Sequence, residues 1–141
     1  MKTLKGPAIF LAQFAGDKPP FDTLDHMAKW AADLGYKGIQ IPTWVSHFID
    51  VEKAATSKTY ADEVRGTVEK HGIVIPELSS HIIGQLVAVH PVYDTLMDGF
   101  AVPAVHGNPK ARQEWAVKHL MNCAAASKNL GLNAHGTFSR A

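Results

Sequence analysis

Three stretches of the chain share one pattern of polar and apolar positions, in which a helical segment ends at a glycine and a short apolar run follows. The glycines and runs are Gly35 before 38–41, Gly72 before 74–78, and Gly131 before 134–138. Glycine adopts the left-handed conformation that closes a helix, and a short link then returns the chain to a strand. With 8–14 as an opening strand, the pattern predicts an α/β protein in which four parallel strands alternate with three helices.

Each predicted helix has a recognisable start and apolar positions spaced by three and four residues. The first begins after Asp22 or Thr23, the second spans 58–71, and the third follows Asn108 with Pro109 in its first turn. Asparagine is a good helix cap, and proline suits the first helical position. We therefore expect each helix to bury one face against the sheet.

Two connections are too long for simple turns, and both lead from a strand to a helix. They span 42–57 and 82–107. In a parallel (β/α)₈ TIM barrel such loops gather at the C-terminal ends of the strands, where active sites are built. The chain is therefore expected to be a single domain over residues 1–141 with four strand–helix units, a half-barrel. An open doubly wound sheet obeys much of the same logic and is the alternative.

The chain ends at Ala141, directly after the fourth predicted strand. A parallel strand without a following helix leaves one edge and one face uncovered, an exposure that folded proteins avoid. We therefore expect a second copy to cover the open strand edges in a homodimer or higher oligomer.

Composition and charge narrow the class of partner. Fourteen Lys and Arg against thirteen Asp and Glu give a net charge of +1, which offers no electrostatic attraction for nucleic acid or an anionic membrane. The single cysteine, Cys123, excludes an intramolecular disulfide and is read as a buried structural thiol in a reducing compartment. The N-terminus is a poor signal peptide, and no apolar stretch has the length of a membrane helix. A cytoplasmic protein with a small ligand is the expectation.

Two of the eight histidines lie at the C-terminal ends of predicted strands. His81 follows the third strand, and His135 lies in the fourth. A neutral imidazole at that edge can bind a substrate hydroxyl or a divalent metal, so both are candidate substrate-binding residues and candidate metal ligands. His26, His71 and His119 fall in predicted helices and are read as structural.

Three further residues are candidates for binding or chemistry. Gln40 is polar between two isoleucines, and strand alternation directs it into the barrel if the isoleucines face the helices. Glu77 is the only carboxylate in a predicted strand and the candidate general base, although proton transfer requires a partner acid or base that the sequence does not identify. Trp44, in the first long loop, offers a ring that suits the apolar face of a sugar.

These segments together resemble the xylose isomerase-like TIM-barrel superfamily of sugar phosphate isomerases and epimerases, which also includes endonuclease IV-like enzymes. The resemblance covers the N-terminal half of a family member. It is carried by the opening strand, GIQIP at 38–42, LSSH at 78–81, the loop 84–91, Asn108-Pro109 and AHGTFS at 134–139.

The resemblance implies a divalent metal, Mn²⁺, Mg²⁺ or a relative, that holds adjacent oxygens of an aldose or ketose while carboxylates move a proton. In the family most metal ligands lie on strands five to eight, which this chain lacks. The resemblance therefore implies a truncated sugar or sugar phosphate isomerase that is inactive alone, with His81 and His135 on the substrate-facing wall. No His-Glu-x-x-His, paired cysteine or phosphate-loop motif occurs.

Two other functions stay open from the sequence. The first is a non-catalytic half-barrel dimer that serves as a binding or structural module. The second is DNA repair of the endonuclease IV-like kind, which the near-neutral charge disfavours.

Overall fold

The computed structural model of the chain describes residues 5–138, so Ser139 and the end of the chain lie outside it. Within this part the protein is mixed α/β, with four strands and six α-helices. The strands are Ala8–Phe10 (β1), Gly38–Pro42 (β2), Leu78–Ser79 (β3) and His135–Gly136 (β4). The helices are Leu24–Asp33 (α1), Val51–Thr56 (α2), Lys58–Glu69 (α3), His81–Gly84 (α4), Asp94–Met97 (α5) and Pro109–Leu130 (α6).

The four strands form one parallel sheet in the order β1-β2-β3-β4. Ile9 pairs with Ile39, Ile41 with Leu78, and Leu78 with His135. Each strand therefore lies beside the next one along the chain. A doubly wound sheet reverses its strand order at a switch point, and no reversal occurs among these four strands. The predicted parallel α/β sheet is confirmed.

The three glycines that mark the repeated pattern close helices as predicted. Gly35, Gly72 and Gly131 have φ values of 88°, 74° and 76°, which is the left-handed region that glycine tolerates. After α6, the Gly131 amide donates to the Lys128 carbonyl at 3.0 Å. These positions start the three short returns to β2, β3 and β4.

The predicted helix starts are also confirmed. Thr23 Oγ1 accepts a hydrogen bond from the His26 amide at 3.2 Å, and Asn108 Oδ1 accepts one from the Ala111 amide at 3.0 Å. α3 begins at the predicted Lys58 and ends at Glu69.

The two long connections are more ordered than the sequence indicates. The first contains α2, which Asp50 caps by accepting from the Lys53 amide at 3.0 Å. The Asn129 side chain of α6 donates to the Ala54 carbonyl of α2 at 2.9 Å. The second connection contains α4, α5 and several 3₁₀ turns. The predicted opening strand 8–14 is shorter than expected, because a 3₁₀ turn occupies Ala12–Phe14.

One face of the sheet carries the main hydrophobic core. Ile39 and Ile41 are fully buried there against side chains of α1, α3 and α6, including Met27, Val68 and Leu130. We call this the helix face. The opposite face, here called the inner face, carries the alternate residues of the strands. No helix in the described part of the chain is both long and apolar enough to cross a bilayer.

A buried arginine fastens the second long connection to α6. The Arg112 side chain is almost fully buried and donates through Nη1 to Asp98 Oδ1 at 2.7 Å and to the Asp94 carbonyl oxygen at 2.8 Å. A second guanidinium nitrogen donates to the Asp94 carboxylate. Asp98 also accepts from the Gly107 amide at 2.8 Å. The arginine therefore fixes α5 and the following turn above α6.

Replacing Arg112 tests how much its side chain contributes to the free energy of unfolding. We expect Arg112→Met to lower the free energy of unfolding by about 2–4 kcal/mol, because it leaves two carboxylates without their buried cation. Urea denaturation measures the change. The control is Arg65→Met, since Arg65 pairs with Asp62 at the surface, and an exposed ion pair contributes little to stability. Equal losses in both variants would contradict this role.

Candidate functional site

Polar side chains from adjacent strands meet on the inner face, near the C-terminal end of the sheet. Phe10 pairs with Gln40, and paired residues of parallel strands point to the same face. Glu77 precedes Leu78, the partner of Ile41, and therefore shares the face of Gln40. Gln40 Nε2 donates to Glu77 Oε1 at 2.5 Å. The prediction that Gln40 points away from the helices is confirmed.

His81 joins this group from the start of α4. Its Nδ1 shares a hydrogen bond of 2.6 Å with Ser79 Oγ, which orients the ring. Gly136 of β4 lies beneath the group, because a Cβ atom placed there would be 3.2 Å from Gln40 Nε2 and 3.4 Å from His81 Nε2. The two nitrogens therefore converge over a backbone without a side chain. We call Gln40, Glu77, Ser79 and His81 the inner-face cluster.

Aromatic rings flank the inner-face cluster. Phe10 packs edge-on against the His81 ring with centroids 5.7 Å apart, and Phe138 lies 4.7 Å from it. Phe138 is exposed, and Phe10 is partly buried. The cluster thus combines hydrogen-bonding groups with apolar faces, the mixture that small-molecule sites use.

The structure does not bring His135 to this cluster. In β4 it pairs with Leu78 and therefore lies on the helix face, whereas Gly136 lies on the inner face. Its Nε2 bonds Ser80 Oγ at 2.8 Å, and its Nδ1 bonds Ser127 Oγ at 3.3 Å. Desolvation by burial lowers the pKa of His135 below its usual value, which the charge of Glu77 partly offsets. Both ring nitrogens are engaged in this position.

Trp44 lies between the inner face and a separate cleft. Its ring packs edge-on against Phe10 with centroids 6.1 Å apart. On its other side it lines a cleft of about 740 Å³ that lies between the loop after β2, the start of α4, residues 99–103 and α6. We call this space the α6 cleft. Its side chains include Thr43, Trp44, Asp50, Glu52, Phe100, Trp115 and His119.

A partly buried polar pair, Thr43 and His119, lines the α6 cleft. His119 Nε2 and Thr43 Oγ1 are 3.2 Å apart. Desolvation lowers the pKa of His119, although the Glu52 charge opposes the shift, so the ring is neutral near pH 7. Thr43 also lies beside Cys123, whose pKa burial raises to about 11. The expected buried structural thiol is therefore confirmed, and it stays protonated.

The position of His119 in the lining of the α6 cleft and the hydrogen bonds of two serines were not predicted from the sequence. Trp115, His119 and Cys123 recur every four residues and so share one face of α6, and this spacing was the available signal for the position of His119. Ser79 and Ser80 are consecutive, and alternation sends their hydroxyls to opposite faces, where each orients one histidine. The alternation of residues in β3 was the available signal.

The residues that the structure describes do not form a complete metal centre. Among residues 5–138, no group of three or more His, Cys, Asp or Glu side chains lies together in a way that could hold a metal ion. His81 and Glu77 share the inner face, but Gln40 occupies one oxygen of Glu77. His135, the other candidate ligand, lies on the opposite face.

Comparisons with known proteins do not place the chain in a family. No protein-family model and no curated protein matches it.

The lowered pKa values of His119 and His135 predict a loss of stability in mild acid. A histidine with a depressed pKa in the folded state binds its proton more readily when unfolded, so stability is complete above about pH 6.5 and falls as the pH drops below that value. We expect the free energy of unfolding, measured with urea, to be lower at pH 5 than at pH 7.5.

The double variant His119→Gln/His135→Gln should reduce this difference, because glutamine does not titrate in that range. His90→Gln, at an exposed position, is the control and should leave the difference unchanged. An equal acid dependence in the double variant and the wild type would contradict the assignment.

Proposed function

We propose that the chain forms the N-terminal half of a barrel of the xylose isomerase-like kind and binds a sugar or sugar phosphate on its inner face. The strand order supports the half-barrel, because a TIM barrel places each strand beside the next, with its helices on the outside. The core on the helix face fits the same arrangement. The reaction proposed for a complete barrel is aldose–ketose isomerisation or epimerisation.

The observation that carries the sugar-binding proposal is the convergence of Gln40, Glu77 and His81 over Gly136. A sugar hydroxyl is both a donor and an acceptor, so it can donate to the Glu77 carboxylate while accepting from the Gln40 amide. His81 Nε2 offers a further donor or acceptor, according to its tautomer. The rings of Phe10 and Phe138 can pack against the C–H faces of the sugar.

Glu77 is the residue proposed to hold or move a proton at a sugar carbon. It is partly buried and faces the same space as His81. A carboxylate base requires a nearby acid to return the proton, and His81 is the titratable group placed for that role.

The sugar-binding proposal predicts a specific loss in variants of the cluster. We expect chemical shifts of the protein amides to report binding from a panel of aldoses and ketoses, with and without phosphate. Glu77→Gln and His81→Ala should each weaken binding of the best ligand by about tenfold or more, because a hydrogen bond to a charged or buried group contributes about 1.5–3 kcal/mol.

The matched controls are Glu63→Gln and His90→Ala, which replace exposed residues that are not part of the inner-face cluster. Circular dichroism checks that every variant is folded. If the cluster variants bind the panel as tightly as their controls do, the inner face is not the sugar site.

A second candidate is the half-barrel dimer, which the open inner face favours. β1 and β4 each have one unpaired side within the described sheet, and exposed strand edges invite further pairing. A twofold axis along the barrel would place β4 of one copy beside β1 of the other on both sides. Two copies would then close eight strands around the inner-face cluster.

The dimer proposal predicts that light scattering gives about twice the mass of the 15.3 kDa chain. Phe138→Glu should weaken dimerisation by tenfold or more, since it puts a charge inside the closed barrel. Met121→Glu is the control, because Met121 is an exposed apolar residue on α6. A monomer at every concentration, or equal effects of both substitutions, would reject the dimer.

A further inference from the structure

The α6 cleft differs from the inner-face cluster both in the side chains that line it and in its charge. Three aromatic side chains from three separate segments line it: Trp44 after β2, Phe100 before α6 and Trp115 on α6. Phe100 is exposed, and the tryptophans are partly buried. Aromatic side chains that line one space can offer a ligand an apolar surface, and a ring face also attracts a cation.

The charged side chains that line the cleft are acidic. Asp50 and Glu52 stand at its rim, and the described lining residues include no lysine or arginine. Lys118 pairs with Glu52, but its Nζ is 3.9 Å from Glu52 Oε1 and both side chains are 74% exposed, so it neutralises Glu52 weakly. Lys53 is directed elsewhere, with its ammonium over the Tyr60 ring.

The other polar groups at the cleft are neutral. His119 is uncharged near pH 7 and bonded to Thr43. Asp50 Oδ1 caps α2 through the Lys53 amide, so the second oxygen of Asp50 and the carboxylate of Glu52 provide the negative charge. Anionic groups such as phosphate would meet these carboxylates with no lysine or arginine among the described lining residues to compensate them.

We propose that the α6 cleft is a binding site for a small organic cation, an ammonium group on an aromatic or aliphatic body. The body packs between the aromatic rings, and the ammonium lies at the acidic rim. Charge complementarity and the aromatic lining carry this assignment. It is independent of the sugar site and stands whether or not the inner face binds a sugar.

Three probes of one shape and different charge test the proposal: 2-phenylethylamine, 2-phenylethanol and phenylacetate. The side-chain N–H signals of the three tryptophans in ¹⁵N NMR spectra report the location of binding. Trp44 and Trp115 line the cleft, whereas Trp30 packs between Phe14 and Phe21. Single Trp→Phe variants assign the three signals.

We expect the amine to shift the Trp44 and Trp115 signals and to leave that of Trp30 unchanged. It should bind at least about threefold more tightly than the alcohol, and the carboxylate should bind more weakly than either. Asp50→Asn and Glu52→Gln should each reduce the preference for the amine, and the double variant should bind amine and alcohol equally. Asparagine remains a good helix cap, so the first substitution preserves α2.

Glu114→Gln is the matched control, because Glu114 is an exposed carboxylate of α6 outside the cleft. It should retain the full preference for the amine. The proposal is overturned if phenylacetate binds as tightly as the amine, if none of the probes shifts Trp44 and Trp115, or if Glu114→Gln reduces the preference as much as the rim variants do.

Discussion

The alternation of residues along β2 is the constraint on which the inner face depends. Burial of Ile39 and Ile41 against the helices leaves Gln40 no direction except the opposite face. The parallel pairing fixes the same orientation in the neighbouring strands, because residues in register point to the same face of the sheet. A one-residue slip of β2 would bury an amide among apolar side chains, and the cost of leaving that amide unpaired makes such a slip unfavourable.

A second constraint acts outside the sheet, where α6 serves as the support for both long connections. Arg112 holds α5 and its following turn, while Asn129 holds the end of α2. Between these two attachments the same helix presents Trp115 and His119. The loop side chains that line the α6 cleft are therefore held against a helix of 22 residues, and a regular element of this kind can position the residues of the loops packed on it.

The sequence predicted the structure best at positions where a local rule assigns a residue type to one conformation or one direction. The junction glycines, the Thr23 and Asn108 caps and the direction of Gln40 follow from local rules. The short helices α2, α4 and α5 were not predicted, because four to six residues show too little periodicity, and contacts with α6 stabilise what propensity alone would not. The separation of His135 from His81 depends on the register of β4, and the location of His119 depends on how α6 packs against Thr43. Both are tertiary properties that a local pattern does not contain.

The buried thiol of Cys123 can report local opening of the structure through the rate at which it is labelled. Cys123 lies within α6 and its side chain is buried, and with a pKa of about 11 the thiol is almost wholly protonated in the folded state. Thiol reagents attack the thiolate, so modification requires an opening that admits both solvent and reagent. Because the sequence contains no other cysteine, the rate of labelling reports how often this helix lifts from the sheet.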